Sequence, residues 1–170
     1  MTQTTPNYKK TLNLPQTSFP MRGNLAQNEP QSVKRWEKEN LYEAIQDARA
    51  EEDPFVFHDG PPYANGSIHL GHVLNKVLKD LVVRHQSMSG KRCPFIPGWD
   101  CHGLPIEHLV MTELTESGKL EKINALEDDV RRIAIRRECK KSAEKYVKLQ
   151  KGQMQRLMTS ADYKNPYLTM

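Results

Sequence analysis

Cysteine is scarce in this sequence and not arranged for pairing. Cys93, Cys101 and Cys139 are an odd set with no Cys-x-x-Cys among them. That argues against a secreted disulfide framework and for a reducing, cytoplasmic setting. Cys93 and Cys101 are separated by seven residues, outside the usual spacing of zinc ligands. Long apolar runs are also missing. None approaches the roughly 20 residues needed to span a bilayer, so no membrane helix is expected. The first twenty residues have neither an apolar signal core nor an Arg-rich amphipathic pattern, and no targeting segment is expected. Internal repeats and low-complexity tracts are absent as well. Hydrophobic residues make up 37% of the chain and charged residues 27%. That is polar for a free-standing domain of 170 residues and suggests a piece whose core is completed by further sequence.

Charge is present but unevenly placed. Between Arg131 and Arg156 there are ten Lys or Arg and two Glu, a local excess of +8. The whole chain carries +4, so the remainder sums to −4. A basic stretch of this kind is a footprint that nucleic acid can use. It is equally an ordinary solvated face, and it lacks the interleaved aromatics that stack bases.

The stretch from Phe55 to Glu107 carries the most information. Phe55-Val56-Phe57-His58 predicts a short strand, and Gly60, Pro61, Pro62, Asn65 and Gly66 a loop. A helix is expected from about His69 to Met88. Its residues Leu70, Val73, Leu74, Val77, Leu78, Leu81 and Val82 recur at intervals of three and four, which predicts one face in a core. The opposite face, with Asn75, Lys76, Lys79 and Arg84, is expected to be exposed. A strand entering a helix through a Gly-rich turn is half of a nucleotide-binding βαβ unit. The unpaired amide N–H groups and the dipole at the helix start attract phosphate. His69 and His72 lie three residues apart at that start and can add donors to the same anion. A His-x-x-His metal site is the alternative. Cys93 to Pro97 predicts a second strand parallel to the first, because a whole helix separates them. Asp100 then falls just beyond that strand's carboxyl end, where open α/β sheets bind ligands. It is either a cap or loop acid, or a carboxylate for a ligand ammonium.

Elsewhere, residues 1–30 read as an extended arm, and Ser32 as the N-cap of a helix reaching about Ala50. A helix is expected from Pro105 to about Glu116. Residues 126–158 predict one long helix or two shorter ones, with Ile135, Cys139, Ala143, Tyr146, Val147, Met154 and Leu157 along one side.

The words Pro-Pro-Tyr-Ala-Asn-Gly, His69-Leu70-Gly71-His72 and Gly98-Trp99-Asp100-Cys101-His102-Gly103-Leu104-Pro105 together resemble the catalytic opening of the isoleucyl-tRNA synthetases, a family of class I aminoacyl-tRNA synthetases. Leu70 stands where the family's His-Ile-Gly-His signature has Ile. The resemblance runs from Asn13 to Met170, loosest after Glu107, where His108 occupies a position expected to be aliphatic. It implies an α/β fold, the first half of a Rossmann-type catalytic domain with parallel strands behind an N-terminal arm and helix. Residues 1–54 would be the arm and helix, and residues 55–170 the first, incomplete part of the nucleotide-binding domain. It further implies that His69 and His72 are catalytic, contacting ATP phosphates with Gly71 and Asn65. Gly60, Pro61 and Asp100 would bind the amino acid. ATP with Mg²⁺, isoleucine and tRNA(Ile) are the implied substrates and partners, with no protein ligand for the ion in this segment. The family's second nucleotide signature, Lys-Met-Ser-Lys-Ser, is not in these residues, so an amino-terminal fragment is expected. Two other readings stay open: a small-molecule nucleotidyltransferase of the same superfamily, and a non-catalytic nucleic-acid-binding module.

Overall fold

The computed structural model describes Tyr8 and residues 11–13, 17–20 and 22–170. The rest of the expected arm lies outside the described residues, as does part of its Asn13–Arg22 segment. Where the chain is described, the arm ends sooner than Pro30. Asn24 adopts a left-handed conformation (φ 45°) and opens α1, Leu25–Lys38. The Asn24 carbonyl accepts from the N–H groups of Gln27 and Asn28, and Asn28 Nδ2 donates to the Gly23 carbonyl. Ser32 is therefore inside the helix rather than its cap. Pro30 is tolerated within it, removing one donor from the ladder. The single helix expected to reach Ala50 is two. Asn40, again left-handed at φ 47°, separates α1 from α2, Leu41–Asp47; Asn is one of the few residues that takes this conformation readily.

The predicted strands at 55–58 and 93–97 are not regular strands, although parallel bridges flank them. Isolated parallel bridges join Pro54 to Arg92 and Tyr63 to Asp100. The pairing is interrupted between these bridges, where Pro61, Pro62, Pro94 and Pro97 have no N–H to donate. The regular strand lies just beyond the expected one. β1, Gly98–Trp99, pairs in parallel with β2, Tyr167–Leu168, a partner the sequence pattern did not signal. Residues 91–101 thus run between two parallel neighbours. Arg92 and Asp100 bond to 53–64 on one side, while the carbonyls of Phe95, Pro97 and Trp99 accept from the 162–169 segment on the other.

Between these segments come α3, Leu70–Met88, and then α4, Leu104–Glu116. A short helix without a sequence signal, α5, Leu120–Asn124, follows. α6, Asp128–Arg156, is one continuous helix. Its Ala143 and Met154 join Trp99, Ile106, Val110 and Leu114 in the main core. A smaller core holds Val83, Cys93, Phe95 and Ala161.

The orientation of α3 reverses the expectation for both faces, except that Asn75 is exposed as expected. Leu70, Leu74, Leu78 and Leu81 are exposed, whereas Lys76 is 7% exposed. The polar face turns inward because it meets acids and carbonyls there. Lys76 and Lys79 both pair with Asp59. Asp80 accepts from the Ser160 N–H at 2.7 Å and pairs with Arg84. Arg84 also donates to the Met158 carbonyl and lies over the Trp36 ring. The leucine face lies outward, and no described residue buries it. A contiguous apolar stripe of this kind marks an interaction surface or an aggregation liability. The isolated 170-residue chain is expected to bind the dye ANS and to self-associate. Leu74→Lys with Leu81→Lys should reduce both while leaving the far-ultraviolet dichroism intact; unchanged dye binding would show that the stripe is covered in solution.

Candidate active site

His69 is the N-cap of α3, in an extended conformation, and the two histidines cap the helix reciprocally. His69 Nδ1 accepts from the Gly71 N–H at 3.1 Å, and His72 Nδ1 accepts from the His69 N–H at 3.2 Å. An Nδ1 that accepts carries no proton, so in each ring the proton sits on Nε2. Both rings therefore keep a donor for an anion at the positive end of a 19-residue helix. The ring centroids are 3.9 Å apart. Burial, and then the neighbouring His69, hold His72 below the usual histidine value. Gly71 is required by the cap itself: a Cβ there would lie 2.9 Å from His69 Cε1 and displace the capping ring.

The loop before α3 is held from several sides. Gln150, 1% exposed on α6, donates to the carbonyls of Tyr63 and Gly66 and accepts from the Trp99 indole. Gln153 accepts from the Ile68 N–H at 2.9 Å. These two glutamines, rather than Asn65, tie the loop down; Asn65 is exposed. Neither glutamine was singled out from sequence. The only available signal was two amides one turn-fraction apart on a helix otherwise rich in lysine.

Asp100 is bonded through its backbone to the residues just after Gly60 and Pro61. The Asp100 N–H donates to the Pro62 carbonyl at 2.8 Å, and its carbonyl accepts from the Ala64 N–H at 2.9 Å. Pro61 lies against Gly98, where a Cβ would stand 3.3 Å from the proline Cβ. One Asp100 oxygen accepts from the His102 N–H and from the Thr169 hydroxyl, each at 3.2 Å. Thr169, on the segment that sequence reasoning left unassigned, thus orients the carboxylate and also accepts from the Cys101 N–H. The second oxygen, Oδ2, has no partner among the described residues. Burial, and then the Lys79 ammonium, push Lys76 down to about 8 beside Asp59.

This arrangement presents two imidazole donors at a helix start and an oriented carboxylate at the end of a parallel strand. Among the described residues no group of three His, Cys, Asp or Glu is placed to hold a metal ion. A family model of tRNA synthetases class I (I, L, M and V) matches residues 31–170. The chain belongs to that family. Its relatives include the isoleucine–tRNA ligases of Desulfitobacterium hafniense, 51% identical over 96% of this chain, and of Teredinibacter turnerae, 52% identical over 96% of this chain. The chain spans 17% of the length of each. The fold is shared with the LeuRS of Agrobacterium radiobacter, solved in a ternary complex with tRNA and LeuAMS. That match has a TM-score of 0.65 at 19% identity, over 87% of this chain and 16% of the other. The α/β class I synthetase fold expected from the motifs is therefore present. No helix of the described residues is long and apolar enough to cross a membrane.

Two outcomes follow from the geometry of this synthetase segment. Gln150→Leu unpairs the buried Trp99 N–H, at about 1–3 kcal/mol, and frees two part-buried carbonyls of the loop. Denaturant unfolding should show a loss of at least about 2 kcal/mol, and an unchanged midpoint would contradict the role of Gln150. His72 should titrate below the ordinary value of 6.5 when followed by NMR. Because the unfolded chain then binds the proton more tightly, its contribution disfavours the folded state as pH falls below about 6.5. His72→Gln should flatten that part of the stability profile.

Proposed function

We propose that the intact protein carrying this chain is an isoleucine–tRNA ligase. The observation that carries this reading is the paired His69–His72 cap, with two Nε2 donors free, on the helix fed by the loop that bonds to Asp100. The isoleucine ligases among the relatives support the choice of amino acid. In the first step the isoleucine carboxylate attacks the α-phosphorus of ATP, forming isoleucyl-adenylate and releasing pyrophosphate. The attacking group belongs to the substrate, so no protein nucleophile is needed. His69 and His72 donate to the phosphates as charge develops, and Gly71 lets the nucleotide approach the helix start. Asn65 stands on the same loop and is assigned to the nucleotide with them.

Asp100 pairs with the isoleucine ammonium through the oxygen left free by Thr169 and His102, a charge-assisted contact that fixes position and sign. Gly60 and Pro61 form the wall beside it. The acyl group then passes to tRNA(Ile). Mg²⁺ enters as the companion of the substrate ATP, and no step is assigned to a protein-held ion. Residues 1–54 serve as arm and helical support, and residues 55–170 as the first part of the catalytic domain, in a cytoplasmic enzyme.

The test is isoleucine-dependent pyrophosphate exchange followed by tRNA charging in the intact protein. Exchange without charging would favour the small-molecule nucleotidyltransferase, and tRNA binding without exchange the binding module. His69→Ala or His72→Ala should lower the exchange kcat by on the order of 10²-fold with little change in isoleucine affinity. Asp100→Asn should weaken isoleucine by about 1.5–3 kcal/mol. It should leave a des-amino analogue unaffected, and equal weakening of both would remove Asp100 from the ammonium.

A further inference from the structure

Asp59 immediately precedes Gly60 and Pro61, and its side chain is 1% exposed. One carboxylate oxygen takes the Lys76 ammonium and the other takes that of Lys79. Both lysines stand on α3, one helical turn apart, on the face turned into the molecule. The clamp therefore joins the loop to the body of the helix whose first turn holds His69 and His72.

The loop's later residues have other restraints: Pro61 against Gly98, the Pro62 carbonyl on the Asp100 N–H, and Gln150 on the Tyr63 and Gly66 carbonyls. Its leading edge has backbone bonds only as far back as Phe55, which donates to the Arg92 carbonyl. From there to Pro61 the hydrogen bonding of the loop rests on Asp59. The histidines are held independently, by their own reciprocal bonds and by Gln153 on Ile68.

We propose that Asp59 is a positioning residue for amino-acid binding: clamped between Lys76 and Lys79, it sets where Gly60 and Pro61 stand relative to Asp100. This rests on the ligase reading, in which Gly60 and Pro61 wall the isoleucine. Because the phosphate-binding turn is restrained separately, loss of the clamp acts on isoleucine more than on ATP. A small misplacement of a positioning element costs up to about 10²-fold.

The experiment measures isoleucine-dependent pyrophosphate exchange and the thermal midpoint of the intact enzyme, as wild type, Asp59→Asn, and Asp59→Asn with Lys76→Met. The double variant removes the more buried ammonium together with its counter-charge, so that no deeply buried charge is left unpaired. Asp59→Asn should raise the isoleucine KM by about 10- to 100-fold, with the ATP KM changed much less. In the double variant the midpoint should recover while the isoleucine KM stays raised. An isoleucine KM that returns to wild type with the midpoint would make Asp59 purely structural and overturn the proposal. So would equal rises in both KM values, or no change in Asp59→Asn. If Asp59→Asn does not fold, the double variant decides alone by the same KM comparison. Wild type without isoleucine-dependent exchange would overturn the ligase reading and this proposal with it, an outcome distinct from a failed variant.

Discussion

The buried amide of Gln150 is the contact through which the separate parts of the site are held in one frame. It accepts from the Trp99 indole on β1 and donates to two carbonyls of the loop before α3. A side-chain amide can satisfy three partners at once without carrying charge, so it can do this at 1% exposure without the desolvation cost of an ion. Trp99 is itself fully buried, and Asp100 is the next residue. The position of the carboxylate therefore follows from how α6 meets the strand. The same helix reaches the start of α3 through Gln153. The long basic helix thus serves the site through its few uncharged polar residues, while most of its lysines remain on the outer face.

α3 docks by charge. Its inner face meets Asp59 through two lysines, and its Asp80 and Arg84 meet backbone groups of residues 158–160. Buried pairs of this kind are sensitive to loss of one partner, because the survivor is left uncompensated in a poorly solvated place. They also specify direction, since each donor has a matched acceptor. The helix is therefore held with its leucines outward, while its first turn is fixed by its own cap and by Gln153.

Part of this was legible from residues alone. The extent of α3, its start at His69, the beginning of α4 and the parallel relation of the 53–64 and 91–101 segments all follow from local chemistry: a capping side chain, a proline in a first turn, and a helix too long to be a hairpin turn. The two histidines were also identifiable, because a three-residue spacing places both on one face of the first turn. The rest depended on distant partners. Apolar periodicity located the stripe on α3 but gives no sign of whether that stripe faces inward, and the ion pairs that reversed it lie 17 and 20 residues from Asp59. Asn24 and Asn40 set the α1 and α2 boundaries by adopting left-handed conformations that the residue type permits but does not require.

Sequence by itself determined the family and the helix periods, because these reside in local spacing and in short words of unusual composition. Tertiary structure alone decided that Thr169 would turn Asp100, that Gln150 would fasten the loop to the strand, and that Asp59 would meet two lysines. Each joins residues far apart in the chain. The free energy of such a contact comes from burial and mutual orientation, and neither quantity exists until the segments are packed together.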